Sequence, residues 1–145
     1  MIYGLALGIL ILDLLTKFLL ERWLPPAGLS LVPGLLNLVR VRNPGVAFGL
    51  FRDWGWMGLW VWSLLGLAAG GLILYLGRTE KDRGRRVALG MISGGALGNA
   101  VDRILHGAVF DFVDLHWGAY HWPAFNLADA AITLGVGVYL LRLRS

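Results

Sequence analysis

The chain has 145 residues, 57% of them hydrophobic and 15% charged, against about 45–50% and about 25% in an ordinary soluble domain. A water-facing globule of this size leaves roughly a third of its unfolded-chain surface exposed, so this much Leu, Val, Ala and Trp would form large apolar patches, and lipid is the more natural surrounding. A disordered chain is excluded, as are a disulfide framework and a Cys-ligated metal site, because there is no cysteine; the charge of +4 rests on 13 Lys and Arg scattered between apolar runs, not on the basic stripe that binds nucleic acid.

Crossing a hydrocarbon layer of about 30 Å takes roughly 20 helical residues. Four stretches approach that length, at about 2–22, 54–77, 86–105 and 124–141. They predict an all-α integral membrane protein with four transmembrane helices in one domain, 1–145. The first is expected to remain as a span, since MIYG has no basic side chain and no small-x-small cleavage site ends the run. In the following connection, about 28–52, Val39 and Val41 alternate with Arg40 and Arg42 before a turn at Asn43-Pro44-Gly45. That pattern predicts short strands forming a small extracytoplasmic sheet on the membrane surface. Trp54, Trp56, Trp60 and Trp62 open the second span and Trp117 and Trp122 precede the fourth, as interfacial aromatic belts do. Arg78, Lys81, Arg83, Arg85 and Arg86 lie between spans two and three, and Arg142 and Arg144 follow span four. These put both termini in the cytoplasm and the connections 23–53 and 106–123 outside, although Arg22, Arg40, Arg42, Arg52 and Arg103 fall on the outer side.

Ionisable groups inside a bilayer cost at least about 2.5–3.5 kcal/mol each, so each needs a reason. Asp13, Thr16 and Lys17 share one face of the first helix, Asn99, Asp102 and Arg103 one face of the third, and Asn126 and Asp129 one face of the fourth. All three faces are expected to meet inside the bundle near its outer side. Asp13/Lys17 and Asp102/Arg103 read as structural pairs that neutralise charge and pin helices together. Asp111, in AVFDFVDL, and Asp129, in FNLADAAI, have no cation within four positions. Two such carboxylates facing each other would share a proton, giving one acid and one base to activate a water. Asp114 could replace either partner. His106, His116 and His121 show no metal-binding spacing, and Ser63 and Ser93 have no His or Lys at a helical offset that would make a nucleophile.

Five blocks in order, DLLTK (Asp13 to Lys17), NPGVAFG (Asn43 to Gly49), GGALGNAVDR (Gly94 to Arg103), VFDF (Val109 to Phe112) and FNLAD (Phe125 to Asp129), resemble the lipoprotein signal peptidases, or signal peptidase II. The resemblance runs from the first span to the last. It implies an intramembrane aspartyl endopeptidase of the bacterial plasma membrane that removes the signal peptide of diacylglyceryl-modified prolipoproteins by cutting before the lipidated cysteine. Its catalytic pair falls on Asp111 and Asp129, with Asp13, Lys17, Asn43, Gly95, Asn99, Asp102, Arg103 and Asn126 supporting the site or the substrate. No metal or cofactor is implied; the partners are prolipoprotein substrates and membrane lipids, a monomer is expected, and the site faces the extracytoplasmic side. From the residues alone, a proton or ion carrier built on buried carboxylates is the competing reading, and a purely structural membrane subunit leaves two aspartates unexplained.

Overall fold

The computed structural model describes residues 1–45 and 55–143. Val46 to Gly49 of the second block, Arg52, Trp54 and Arg144 lie outside the described residues. Four helices, α1 (Ile2–Trp23), α2 (Gly55–Gly77), α3 (Arg83–His106) and α4 (Leu127–Leu143), accompany four strands, β1 (Leu29–Val32), β2 (Leu36–Asn43), β3 (Val109–Trp117) and β4 (Tyr120–His121). The molecule is mostly helical with one small antiparallel sheet in the order β1-β2-β3-β4.

Each predicted helix is present, with ends set by local chemistry. α3 begins at Arg83 because the Asp82 carboxylate accepts the Arg85 N–H at 2.7 Å, an N-cap. It stops at Gly107, whose φ of 77° lies in the left-handed region that glycine enters without strain. α4 starts at Leu127, three residues later than expected, because Phe125 is still extended and pairs with Val113. Among the described residues only α1 and α2 are both long and apolar enough to cross a membrane by length and composition; α3 is charged at both ends and α4 has 17 residues.

α3 is the hub. α1, α2 and α4 all pack against it, while α1 and α2 barely meet. Small residues let the backbones approach. A Cβ at Gly94 would lie 2.7 Å from the Ala6 carbonyl oxygen, and one at Gly95 would lie 2.5 Å from that of Ala128. Gly70 of α2 and Gly135 of α4 similarly face Leu97 and the Ala88 carbonyl of α3. Close approach through small residues is the usual device where helices gain no hydrophobic drive from water.

The sheet extends beyond its expected range. β1 and β2 fall within 28–52, but their partners β3 and β4 come from the second connection. AVFDFVDL is therefore a strand, and Asp114 does not occupy a helical face neighbouring Asp111. Val109, Phe110, Phe112 and Val113 suit a half-buried pleated surface. The N-terminal half of β3 is buried between helices, whereas Trp117 at its end is exposed.

Gly95→Ala should lower stability by about 1–3 kcal/mol, because the obstructing atom is backbone and has no way to swing aside. Gly8→Ala, where a Cβ meets nothing within 4 Å, should be neutral or slightly stabilising. Thermal unfolding of the two variants in the same detergent checks the contrast.

Candidate active site

Two backbone pairings bring Asp111 and Asp129 together. β2 holds β3 with Val41 opposite Asp111. After the β3–β4 hairpin the chain returns, and the Val113 and Phe125 amides donate to each other's carbonyls at 2.8 and 3.1 Å. Asn126 is thereby placed beside Asp111 at the start of α4.

α4 then opens with reciprocal caps. Asn126 Oδ1 accepts the Asp129 N–H at 2.9 Å, and Asp129 Oδ2 accepts the Asn126 N–H at 3.2 Å. This is a capping box with Asn and Asp in its two positions. The Ala128 N–H is taken by Asp13 Oδ1, reaching across from α1 at 2.9 Å. A helix N-terminus with free amide donors favours a negative side chain in its first turn, which is where Asp129 sits.

Asn126 also links the two acids. Its Nδ2 donates to Asp111 Oδ1 at 2.8 Å and to Asn99 Oδ1 at 3.0 Å. Asn99 Nδ2 donates to Asp129 Oδ1 at 2.7 Å, and Lys17 Nζ donates to Asn99 Oδ1 at 3.0 Å. Lys17 is 2.6 Å from Asp13 Oδ2 and 3.5 Å from Asp102 Oδ2, with all three side chains almost fully buried. Asn43 hydrogen-bonds the Asp111 carboxylate and accepts the Gly45 N–H at 3.1 Å.

Asp111, Asp129, Asn43, Asn99 and Arg103 line one cavity of about 910 Å³. Trp62 and Leu65 of α2 and Ile132 and Leu134 of α4 make its apolar walls. Asp111 is 3% exposed. Burial, and next the negative charge of Asp129, push its carboxyl up to about 7, against the pull of hydrogen bonds from Asn43 and Asn126 and the charge of Lys17. One proton is then available near neutral pH beside a second carboxylate, a combination able to act as acid and base toward one water.

Several expectations are met in space and one pairing is corrected. Asp13, Lys17, Asn99, Asp102, Asn126 and Asp129 do converge from three helices. Asp102, however, does not pair with Arg103, because consecutive helical residues point in different directions. Its partners are Lys17, His106 Nδ1 at 2.7 Å, the Phe110 N–H at 2.9 Å and, at 3.8 Å, Arg42 of β2, so it ties α3 to β2 and β3. Arg103 instead donates to the Gly45 carbonyl at 3.0 Å and faces the cavity. Gly95 works through its lack of a side chain, letting α3 touch the first turn of α4. Asp114 lies outside the cavity lining, holding Asn37 Nδ2 at 3.0 Å and His121 Nδ1 at 2.8 Å. Burial raises its carboxyl, but these two hydrogen bonds, with the neighbouring His121 and His116 rings, together outweigh it and hold the group below the usual range. His116 and His121 stack with centroids 4.7 Å apart, and no cluster of three or more His, Asp or Glu suited to a metal ion occurs among the described residues. The capping box was readable in F-N-L-A-D as an N-cap residue with an acid three positions on. The apolar cavity wall carries no sequence signal of its own.

Comparison with known proteins defines the class. A family model described as signal peptidase (SPase) II matches residues 5–144. The chain is 42% identical over 136 residues to the lipoprotein signal peptidase of Paraburkholderia phymatum, covering 93% of this chain and 82% of that one. It is 43% identical over 138 residues to that of Nitratidesulfovibrio vulgaris, covering 92% and 83%. A bacterial membrane enzyme solved by the in meso method at 2.3 Å superposes with a TM-score of 0.85 at 27% identity, covering 98% of this chain and 86% of that one. A second, solved by the same method at 1.9 Å, gives 0.81 at 27% identity, with 98% and 91% covered. The protein is thus a peptidase of membrane-enzyme architecture. The chain belongs to the signal peptidase II family.

Lys17→Met should leave Asp13 and Asp102 buried without their shared cation and lower stability by about 3–5 kcal/mol. Activity per folded molecule should fall much less than the yield of folded protein, as measured by active-site titration after gel filtration. A further expectation concerns Asp111 itself. Its folded pKa of about 7 exceeds the ordinary 3.8, so its contribution favours the folded state below pH 4 and is lost as pH rises through 7. Asp111→Asn should therefore stabilise the fold at pH 8, on the order of a few kcal/mol, and the gain should vanish near pH 4. Unfolding curves at the two pH values measure it.

Proposed function

We propose that the protein is an aspartyl endopeptidase that removes the signal peptide from lipid-modified prolipoproteins, with Asp111 and Asp129 as its catalytic pair. The observation that carries this reading is the pair itself: two carboxylates, on a strand and on a helix N-terminus, joined by the Asn126 amide and lining one cavity. Asp111 holds the shared proton and hydrogen-bonds the scissile carbonyl, while Asp129 takes a proton from the attacking water. The water oxygen bonds to the carbonyl carbon, the C–N bond breaks, and the proton on Asp129 passes to the leaving amine. Cleavage falls just before the lipidated cysteine. Asn43, Asn99, Arg103 and Asn126 orient the pair or the substrate backbone; Asp13, Lys17, Gly95 and Asp102 hold the helices in register.

The enzyme acts in the bacterial plasma membrane as a single domain of four spanning helices, both termini cytoplasmic and the site near the extracytoplasmic face. The basic segment Arg78 to Arg86 at one end of the bundle, opposite the sheet, supports that orientation. The exposed Trp117, Tyr120 and Trp122 lie at the outer interface. The cavity walls from α2 and α4 both rest on α3, so the cleft between those two helices admits a lipid-anchored substrate from the bilayer.

In a cleavage assay with a diacylglyceryl-modified prolipoprotein peptide and purified enzyme, Asp111→Asn and Asp129→Asn should each lose several powers of ten in turnover. The double variant should lose little more, since residues acting as one unit are strongly non-additive. Asp114→Asn should remain active, and folded Asp111→Asn or Asp129→Asn cleaving near the native rate would refute the mechanism.

The pH profile of kcat/KM should be bell-shaped, its alkaline limb falling near pH 7 as the free enzyme loses the proton on Asp111. Asp114→Asn should leave both limbs in place. Initial rates across pH 4 to 9 provide the measurement.

A further inference from the structure

A second cavity, of about 460 Å³, opens between α2, α3 and α4 at the end of the bundle away from the sheet. Its inner wall is apolar, with Ile73 and Leu76 from α2 and Leu89 from α3, and Tyr139 of α4 joins its lining. Its rim carries Lys81 and Arg85 together with Thr79 and Glu80. Neither cation is fully used by the protein. Lys81 is exposed and makes no ion pair or side-chain hydrogen bond among the described residues. Arg85 Nε is buried without a hydrogen-bond partner and stands 3.6 Å from Glu80 Oε1.

The acids nearby are already engaged. Glu80 Oε1 accepts the Asp82 N–H at 2.9 Å, and Asp82 Oδ1 accepts the Arg85 N–H at 2.7 Å. Arg86 donates to the Glu80 carbonyl, its Nε at 2.7 Å. The Arg142 guanidinium lies against Gly84, where an added Cβ would meet its Nε at 2.6 Å. Arg78 to Arg86 contains five cations and two acids, so the field at this rim is positive.

Depth completes the chemistry. From Arg85 at this rim to Arg103 at the active-site cavity is eighteen residues of α3, about 27 Å along the axis and close to the full 30 Å of a hydrocarbon layer. The rim therefore stands nearly a whole hydrocarbon layer from the active-site cavity, at the level of the lipid phosphates on the opposite face, with apolar side chains leading inward from it. A basic pocket between helices on this side suits an anionic head group.

We propose that this cavity is a binding site for an anionic phospholipid of the cytoplasmic leaflet, whose phosphate is held by Lys81 and Arg85 while an acyl chain runs along Ile73, Leu76 and Leu89. The assignment to that leaflet rests on the membrane orientation given above. The site is separate from the dyad and needs no part of the cleavage chemistry.

The full-length enzyme in a neutral detergent is titrated with dioleoylphosphatidylglycerol, with dioleoylphosphatidylcholine and with inorganic phosphate, reading thermal stability and, by native mass spectrometry, bound lipid. The phosphatidylglycerol shift should saturate at about one lipid per chain, with no saturable shift from phosphatidylcholine. Millimolar phosphate should be inert; stabilisation by phosphate alone would replace the lipid with a free anion and overturn the proposal. Lys81→Gln with Arg85→Gln should weaken phosphatidylglycerol binding at least tenfold, and Ile73→Trp, which narrows the acyl path without touching charge, should do the same. Arg22→Gln, at the other membrane edge, should not. Equal binding by the native and the Lys81/Arg85 proteins, or equal affinity for both lipids, would overturn it. The Lys81/Arg85 variant should cleave prolipoprotein peptide in detergent at the native rate. A failure of the peptidase reading would appear in the Asp111→Asn assay and leave the lipid titration to stand on its own result.

Discussion

Lys17 Nζ lies 2.6 Å from the Asp13 carboxylate and 3.5 Å from that of Asp102, in a place nearly closed to solvent. Removing three charges from water is costly, and the mutual attraction offsets that cost only if the remaining hydrogen-bonding capacity is also satisfied. Here it is: Asp13 takes the Ala128 amide of α4, Asp102 takes the Phe110 amide of β3, and Lys17 reaches Asn99. A slip of α1 by one residue would strand a charge and the Ala128 amide together. The knot thus fixes α1, α3, α4 and β3 in one register, and the amides of Asn99 and Asn126 inherit their positions from it.

The site uses ordinary helix and strand endings for its precision. α4 needs its first amides satisfied, and the groups that do so are Asp13, Asn126 and Asp129. Asp129 is held because the helix must begin there, and Asp111 because β3 is clamped between β2 and the returning Phe125. Neither depends on a mobile surface loop. The two carboxylates also differ in surroundings: one is buried on a strand, the other sits in the first turn of a helix. Different surroundings are what the proposed division of acid and base between two chemically identical groups requires.

Much of this was legible in the chain. The four helices follow from apolar length, and the i, i+3, i+4 spacing of Asp13, Thr16 and Lys17 and of Asn99, Asp102 and Arg103 placed the polar faces correctly. The five motif blocks singled out the residues that the fold gathers around the cavity. What stayed hidden depended on partners distant in sequence. VFDFVDL has the length and apolar content of either a helix turn or a strand, and only β2 decides between them. Asp102 has a cation beside it in sequence, yet its partners are one helical turn away, at His106, and far back in the chain, at Lys17 and Arg42. The cavity wall from Trp62, Leu65, Ile132 and Leu134 reads as lipid-facing apolar surface until α2 and α4 are set on the same hub.

The capping of α4 by residues from earlier in the chain has a consequence for biosynthesis. Asp13, Lys17, Asn99 and Asp111 all precede Asp129, which enters with the last of the four helices. A nascent chain that has made only its first three helices holds one carboxylate of the pair and none of the amide links through Asn126. Those links form only when Phe125 has paired with Val113 and α4 has docked beneath Asp13. If Asp111 and Asp129 are the catalytic pair proposed above, proteolytic competence waits for α4, and a chain that lacks it is inert.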